Sequence, residues 1–212
     1  MGVETKSTSN RAGPPPANLP PPPYPMGIVP EYTRHDTPIV LRIRELKFSF
    51  TGDDFAIKDA ISRQPVFEVQ AKALSISQRK TLLDHNGRPL FEFCASGLMM
   101  KSFIGYVCGN ERQQLFNIER VGIFKPKLVV TFTNRVADGR KETWTLRGQW
   151  LSGASQITTE AGVVVASIRR DYATGGDIFF GQQTYEVTIA PGIDAAFISA
   201  ICVCFDEIYN EH

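Results

Sequence analysis

From Ile39 onward the chain alternates apolar and polar residues in short runs. In "IVLRIRELKFSF", Ile39, Leu41 and Ile43 fall on one side of an extended backbone and Val40, Arg42 and Arg44 on the other, the period of two that a half-buried strand requires. The runs "LVVTFTN" and "ETWTLRGQW" are similarly rich in β-branched and aromatic residues, which suit a pleated surface. Turn residues recur roughly every 8 to 12 positions. Gly52-Asp53-Asp54, Asn86-Gly87 and Asp138-Gly139 tolerate the positive φ that hairpin loops use. Two segments also echo each other. "KDAISRQPVFEV" (58–69) and "LDHNGRPLFEF" (83–93) both run Asp, turn residues, Pro, aliphatic, Phe, Glu, apolar, and "TTEAGVVVASI" (158–168) is a weaker copy. Repetition of one β unit points to a closed barrel or a sandwich.

The pattern changes near the C-terminus. Pro191 and Gly192 stop the strand "TYEVTIA", and Asp194 is a suitable N-cap for a helix from Ala195 to about Tyr209. Positions 195–205, "AAFISAICVCF", carry only Ser199 as a polar break, so no stripe separates a wet face from a dry one. Phe197, Ile198, Ile201, Cys202, Val203 and Phe205 are therefore expected to be buried on every side of the helix. That run rises only about 17 Å, short of the ~30 Å hydrocarbon core that needs about 20 apolar residues. Asp194 on one side and Asp206 with Glu207 on the other would be costly at membrane depth. A hydrophobic helix inside a mostly β chain implies a barrel whose inward side chains pack around it.

Residues 1–37 read differently. "GPPPANLPPPPYPMGIVP" removes backbone donors and favours extended polyproline II, so a disordered Pro-rich tail is expected, with the folded domain covering 38–212. Within the tail, Pro21, Pro22, Pro23 and Tyr24 spell the P-P-x-Y pattern that the aromatic grooves of WW domains read. A plain solubilising spacer produces the same match by chance.

Composition narrows the classes. The 212 residues are 42% hydrophobic and 21% charged, and 23 basic side chains balance 22 acidic ones, so no bulk charge points to nucleic acid. The four cysteines, Cys94, Cys108, Cys202 and Cys204, show no C-x-x-C pair, and "MGVETKSTSN" lacks a signal-peptide core. An intracellular, cytoplasmic location is expected. Gly2 and Ser7 miss the myristoylation spacing by one residue, since Lys6 occupies the required position.

"GDDFAIKD", "DHNGRPLF" and above all "YEVTIAPGIDAAFISAICVCFDEI" resemble the LURP-one-related domain, part of the Tubby C-terminal-like group that includes phospholipid scramblases. The resemblance covers residues 39 to about 210. It implies a mainly β fold, a closed antiparallel barrel of about twelve strands enclosing a hydrophobic C-terminal α-helix. It is most specific from Tyr185 to Ile208, where Pro191, Asp194, Phe197 and Asp206-Glu207-Ile208 stand in the family's order.

Catalytic chemistry finds little support. His35, His85 and His212 lie at a tail junction, a predicted turn and the last position, so no His-based triad or metal cluster is expected. "GGDIFFG" lacks the lysine and the strand-to-helix setting of a phosphate loop. Cys202 and Cys204 point about 200° apart on a helix and cannot grip one metal together. No catalytic residue, cofactor, metal or small-molecule substrate is assigned. Tubby domains hold phosphoinositides with basic barrel residues, and the candidates for an anionic phospholipid here are Lys125, Lys127, Arg140, Lys141, Arg169 and Arg170, which also read as solvated charges at turns and strand ends. The leading expectation is a non-enzymatic intracellular scaffold or adaptor, peripheral at membranes, with a WW-domain partner at Pro21, Pro22 and Tyr24. The alternatives are a scramblase-like lipid handler, against which the absence of a palmitoylation-type cysteine cluster and of an evident spanning segment counts, and an unrecognised enzyme.

Overall fold

A computed structural model describes residues 18–46, 54–72, 78–97, 102–122, 127–149, 154–170 and 184–210. Twelve strands follow in chain order: β1 (Ile39–Leu46), β2 (Asp54–Asp59), β3 (Pro65–Ala71), β4 (Lys80–Asp84), β5 (Pro89–Ser96), β6 (Ser102–Val107), β7 (Asn110–Val121), β8 (Lys127–Thr133), β9 (Lys141–Gln149), β10 (Ala154–Thr159), β11 (Val164–Arg170) and β12 (Thr184–Ile189). Each pairs with its neighbours in sequence, and β12 pairs antiparallel with β1, so the sheet closes into a barrel with no free edge.

Alternation decides which side chains face inward. Leu41 and Ile43 of β1 are buried, and Ile43 stands opposite both Tyr185 of β12 and Ile57 of β2, which are buried too. At Gly105 of β6 the inner wall has no side chain at all. The Phe116 ring of the neighbouring β7 fills that space and would collide with any Cβ there.

The echoed segments form equivalent hairpins. Asp59 ends β2 and accepts the Ile61 and Ser62 N–H bonds (3.1 and 2.6 Å), while Asp84 ends β4 and accepts those of Asn86 and Arg88 (2.9 Å each). These bonds hold both carboxyls below the usual carboxylate range. Both hairpins carry a register shift just before the acid, between Ile57 and Lys58 and between Leu82 and Leu83, and both return through a proline, Pro65 or Pro89. In the third copy Thr159 stands in for the acid. Its hydroxyl accepts the Val163 N–H at 3.1 Å, again after a register shift, between Ile157 and Thr158. The predicted turn at Gly52-Asp53 and the "GGDIFFG" stretch lie outside the described residues.

Helix α1 (Ala195–Asn210) runs through the barrel. Phe197, Ile198, Ile201, Cys202, Val203 and Phe205 are all buried. Phe197 sits in an aromatic box, its ring centroid 5.0 Å from Phe116 of β7, 4.9 Å from Phe132 of β8 and 5.5 Å from Trp144 of β9. Full burial of one such side chain contributes about 1.5–3 kcal/mol, before the added value of edge-to-face geometry. The polar break is resolved locally, because Ser199 Oγ donates to Ala195 O at 2.8 Å. Asp206 and Glu207, which end the apolar run, are buried as well. Tyr185 of β12 donates its hydroxyl to Asp206, and Lys80 of β4, fully buried, pairs with Glu207 at 3.2 Å. No helix of the described residues is long and apolar enough to cross a membrane.

The tail requires a correction. Residues 18–37, expected to belong to a disordered segment, pack against the barrel, and Leu19, Met26, Ile28 and Thr33 are buried. A 3-10 turn at Pro30–Thr33 leads into β1, with the Tyr32 ring edge-on to Phe67 at 4.8 Å. The physical reason is that prolines only remove donors. Between and after them stand apolar anchors, and the polar groups of Met26–Val29 find partners elsewhere in the fold. Residues 1–17 lie outside the described residues.

Candidate functional site

A dense polar network lies where the strap (residues 18–37) crosses the end of the barrel at which α1 begins. Asp194 is fully buried and uses both carboxylate oxygens. Oδ1 accepts the N–H groups of Ala196 and Phe197 (3.0 and 3.1 Å), the N-cap expected from sequence. Oδ2 accepts those of Ile28 and Val29 (3.0 and 2.7 Å), so the carboxylate that starts the helix also latches the strap. Burial raises its pKa to about 6, against the lowering effect of these four bonds.

Around this latch further backbone bonds tie the strap to the start of the helix. Met26 N–H donates to Gly192 O at 3.1 Å, and Asp194 N–H donates back to Met26 O at 3.0 Å. Gly27 lies so close to Asp194 that any Cβ there would collide with the aspartate side chain. Asn134, fully buried after β8, donates Nδ2 to Pro25 O and accepts the Gly27 N–H, each at 3.1 Å. His35, one of the three histidines weighed for catalysis, is part of the same structure: its Nε2 lies 2.8 Å from Ile193 O.

Tyr24 stands inside this network. It is half-buried, its hydroxyl donates to Glu142 Oε1 at 2.9 Å, and the Arg140 guanidinium covers its ring at 4.5 Å from the centroid. Arg140 is itself clamped by Asp138, through Nε at 2.7 Å and Nη2 at 2.5 Å, and those bonds hold the Asp138 carboxyl down at about 2. Pro23 and Tyr24 border a hollow of about 390 Å³ shared with Met26, Glu142, Thr159 and Val163. Pro21 is exposed and Pro22 half-buried.

The basic candidates do not converge. Arg140 and Lys141 sit at the β8–β9 turn beside the strap, where Arg140 is committed to Asp138 and Tyr24. Lys127 begins β8 at the opposite end of the barrel. Lys125 lies outside the described residues, and Arg170 ends β11 with a side chain that is likewise not described. Arg169 is the candidate that acquires basic neighbours. It pairs across the sheet with Glu186 of β12, which pairs with Arg42 of β1, which pairs with Lys58 of β2, a row of three cations and one anion on outward positions. Arg42 and Lys58 were missed because outward parity is legible in "IVLRIREL" whereas the pairing of distant strands is not.

A second polar hollow, of about 380 Å³, lies over Gln70, Lys72, Thr81 and Arg79, with Arg79 bridging Glu92 at 2.9 Å and Glu111 at 2.6 Å. Burial raises the pKa of all four thiols and disfavours the thiolate. Among the described residues no group of three His, Cys, Asp or Glu side chains is placed to hold a metal ion.

Comparison with known proteins bears on the whole barrel. The LURP-one-related family model matches residues 39–206. Protein LURP-one-related 15 of Arabidopsis thaliana is 26% identical over 180 residues, covering 82% of each chain. Protein LURP-one-related 10 of the same plant is 25% identical over 181 residues, covering 82% of this chain and 92% of that protein. An X-ray structure of an Arabidopsis thaliana protein superposes with a TM-score of 0.62 at 22% identity, over 85% of this chain and 96% of the other, and shares the fold. With the family model spanning β1 to the buried Asp206 of α1, the chain belongs to the LURP-one-related family.

Proposed function

We propose that this chain is a non-catalytic intracellular adaptor, a rigid barrel that carries a proline-tyrosine ligand segment on its surface for a WW-domain partner. The observation that carries this reading is the placement of Pro21 to Tyr24 on the outside of the barrel between two buried anchors, Leu19 and Met26. The interior supports it as well. The barrel is filled by its own helix, and the buried ionisable groups Asp194, Asp206, Glu207 and Lys80 make bonds that hold helix, strap and wall together. The four cysteines are free thiols, as suits a reducing compartment.

A second, peripheral contact with anionic phospholipid is favoured by the row of Arg169, Arg42 and Lys58 on outward positions of the sheet. A scramblase-like role is less well supported, since α1 would have to leave the aromatic box and give up the Asp194, Asp206 and Glu207 bonds. The test has two arms. A recombinant WW domain that reads P-P-x-Y is titrated with a synthetic peptide of residues 18–27, with saturable binding expected for the native sequence and none for Tyr24→Ala. Detergent-free flotation on liposomes with and without phosphoinositide then examines the basic row, with salt-sensitive binding reduced by Arg42→Glu expected. Failure of the peptide arm sinks the adaptor reading; failure of the flotation arm removes the lipid contact alone.

A further inference from the structure

The adaptor reading leaves a steric question, because the same tyrosine that a WW domain must grip is already gripped. A WW domain reads P-P-x-Y by laying the prolines and the tyrosine ring into its own grooves, which requires those faces to be bare. Here the Tyr24 ring lies under Arg140, its hydroxyl is spent on Glu142, and Pro22 is half-buried. The flanks are fixed too. Leu19 precedes the motif and Met26 follows it, both buried, and Met26 makes a parallel bridge with Ile193. The motif is therefore stretched across the barrel end with neither side loose.

We infer that Arg140 of the β8–β9 turn and Glu142 at the start of β9 form a built-in competitor for the P-P-x-Y segment, so that a WW domain binds only when the strap from Leu19 to Met26 leaves the barrel. This rests on the adaptor reading and adds its regulation. The seat reproduces the chemistry of a tyrosine-reading groove: a flat cation over the ring, an acceptor for the hydroxyl, and a hollow walled by Met26, Thr159 and Val163 beside the ring and Pro23. Because the seat is on the same chain, it competes at the high effective concentration of an intramolecular partner. A population that exposes the motif one time in ten weakens apparent affinity about tenfold. Asp138 tunes the seat without touching the tyrosine, since its two bonds fix Arg140 over the ring.

The experiment uses one labelled recombinant WW domain and four ligands: the 18–27 peptide, the intact chain, the intact chain with Arg140→Ala and Glu142→Ala together, and the intact chain with Tyr24→Ala. Melting curves establish that each intact chain is folded. The expected result is tight binding of the peptide, binding to the intact chain weaker by about tenfold or more, recovery in the double variant, and loss in Tyr24→Ala. Equal affinity for peptide and intact chain would overturn the masking and leave the adaptor reading standing. A peptide that does not bind would remove the adaptor reading beneath it. A weak intact chain that the double variant fails to rescue would overturn the role of Arg140 and Glu142 and place the block in the buried anchors instead.

Discussion

The two ends of the central helix bury the same kind of group by opposite means. At the start, Asp194 is satisfied by four backbone N–H groups, two from the helix and two from the strap. At the finish, Asp206 and Glu207 are met by side chains reaching from the wall, Tyr185 from β12 and Lys80 from β4. The two ends therefore do different work. Backbone donors cannot be replaced by any substitution of a partner residue, so the Asp194 end joins helix and strap into one unit. Side-chain partners are individually replaceable, and they satisfy the buried acids where the helix meets the barrel wall, Tyr185 by a hydrogen bond and Lys80 by opposite charge.

Asp194→Ala separates the ends most sharply. It orphans four backbone donors, three of them buried, and removes a helix cap, with an expected loss of about 4 kcal/mol or more, read by denaturant unfolding. No second substitution should restore it. Lys80→Ala should cost about 3–5 kcal/mol by leaving Glu207 buried without its cation, yet Lys80→Met with Glu207→Leu should recover most of that loss, since a buried ion pair is often matched by apolar packing. If the double variant is no better than the single one, the finish of the helix depends on its charges and the contrast between the ends fails.

Removing residues 1–36 probes the strap alone. Burial of Leu19, Met26 and Ile28 contributes about 1.5–3 kcal/mol each, offset by the entropy of ordering the strap, so a net fall in melting temperature of about 5–10 °C is expected. An unchanged melting temperature would show that the strap adds nothing to the barrel. The pH dependence is smaller. The folded pKa of Asp194, about 6, lies above its ordinary 3.8, so the folded chain takes up this proton first. Its contribution therefore grows as pH falls from about 6 toward 4 and declines as pH rises through the same window. The difference in stability between wild type and Asp194→Asn, followed from pH 7 to 4.5, should move in the wild type's favour on acidification.

Much of this architecture was legible in the sequence for physical reasons. Strand parity follows from a period of two, and the turns follow from residues whose side chains accept nearby amides, as Asp59 and Asp84 do in the two echoed hairpins. The helix announced itself because eleven nearly unbroken apolar residues are too short for a membrane and too dry for a surface. What stayed hidden depends on contacts between distant segments. Asp194 reads as an N-cap, but nothing local says that its second oxygen holds Ile28 and Val29. Proline content spoke for disorder, while Leu19, Met26 and Ile28 could find a seat only after the barrel had closed. Tyr24 was visible as a recognition motif, and its occupied state was not, because Arg140 and Glu142, on a turn and on the strand that follows it, lie far along the chain. Arg169 was visible as a cation, whereas its row with Arg42 and Lys58 appears only once β11, β12, β1 and β2 are paired.

The latch between strap and helix holds the fold's N-terminal segment to its core, and amide hydrogen exchange at Ile28 and Val29 reads it out. Both N–H groups donate to Asp194 Oδ2 and to nothing else that a solvated proline-rich tail could supply. Exchange at least about tenfold slower than for an unstructured chain is expected, with protection lost in Asp194→Asn, whose amide nitrogen cannot accept both bonds. Exchange at unstructured rates in the wild type, beside protected amides in β1 and β12, would contradict it.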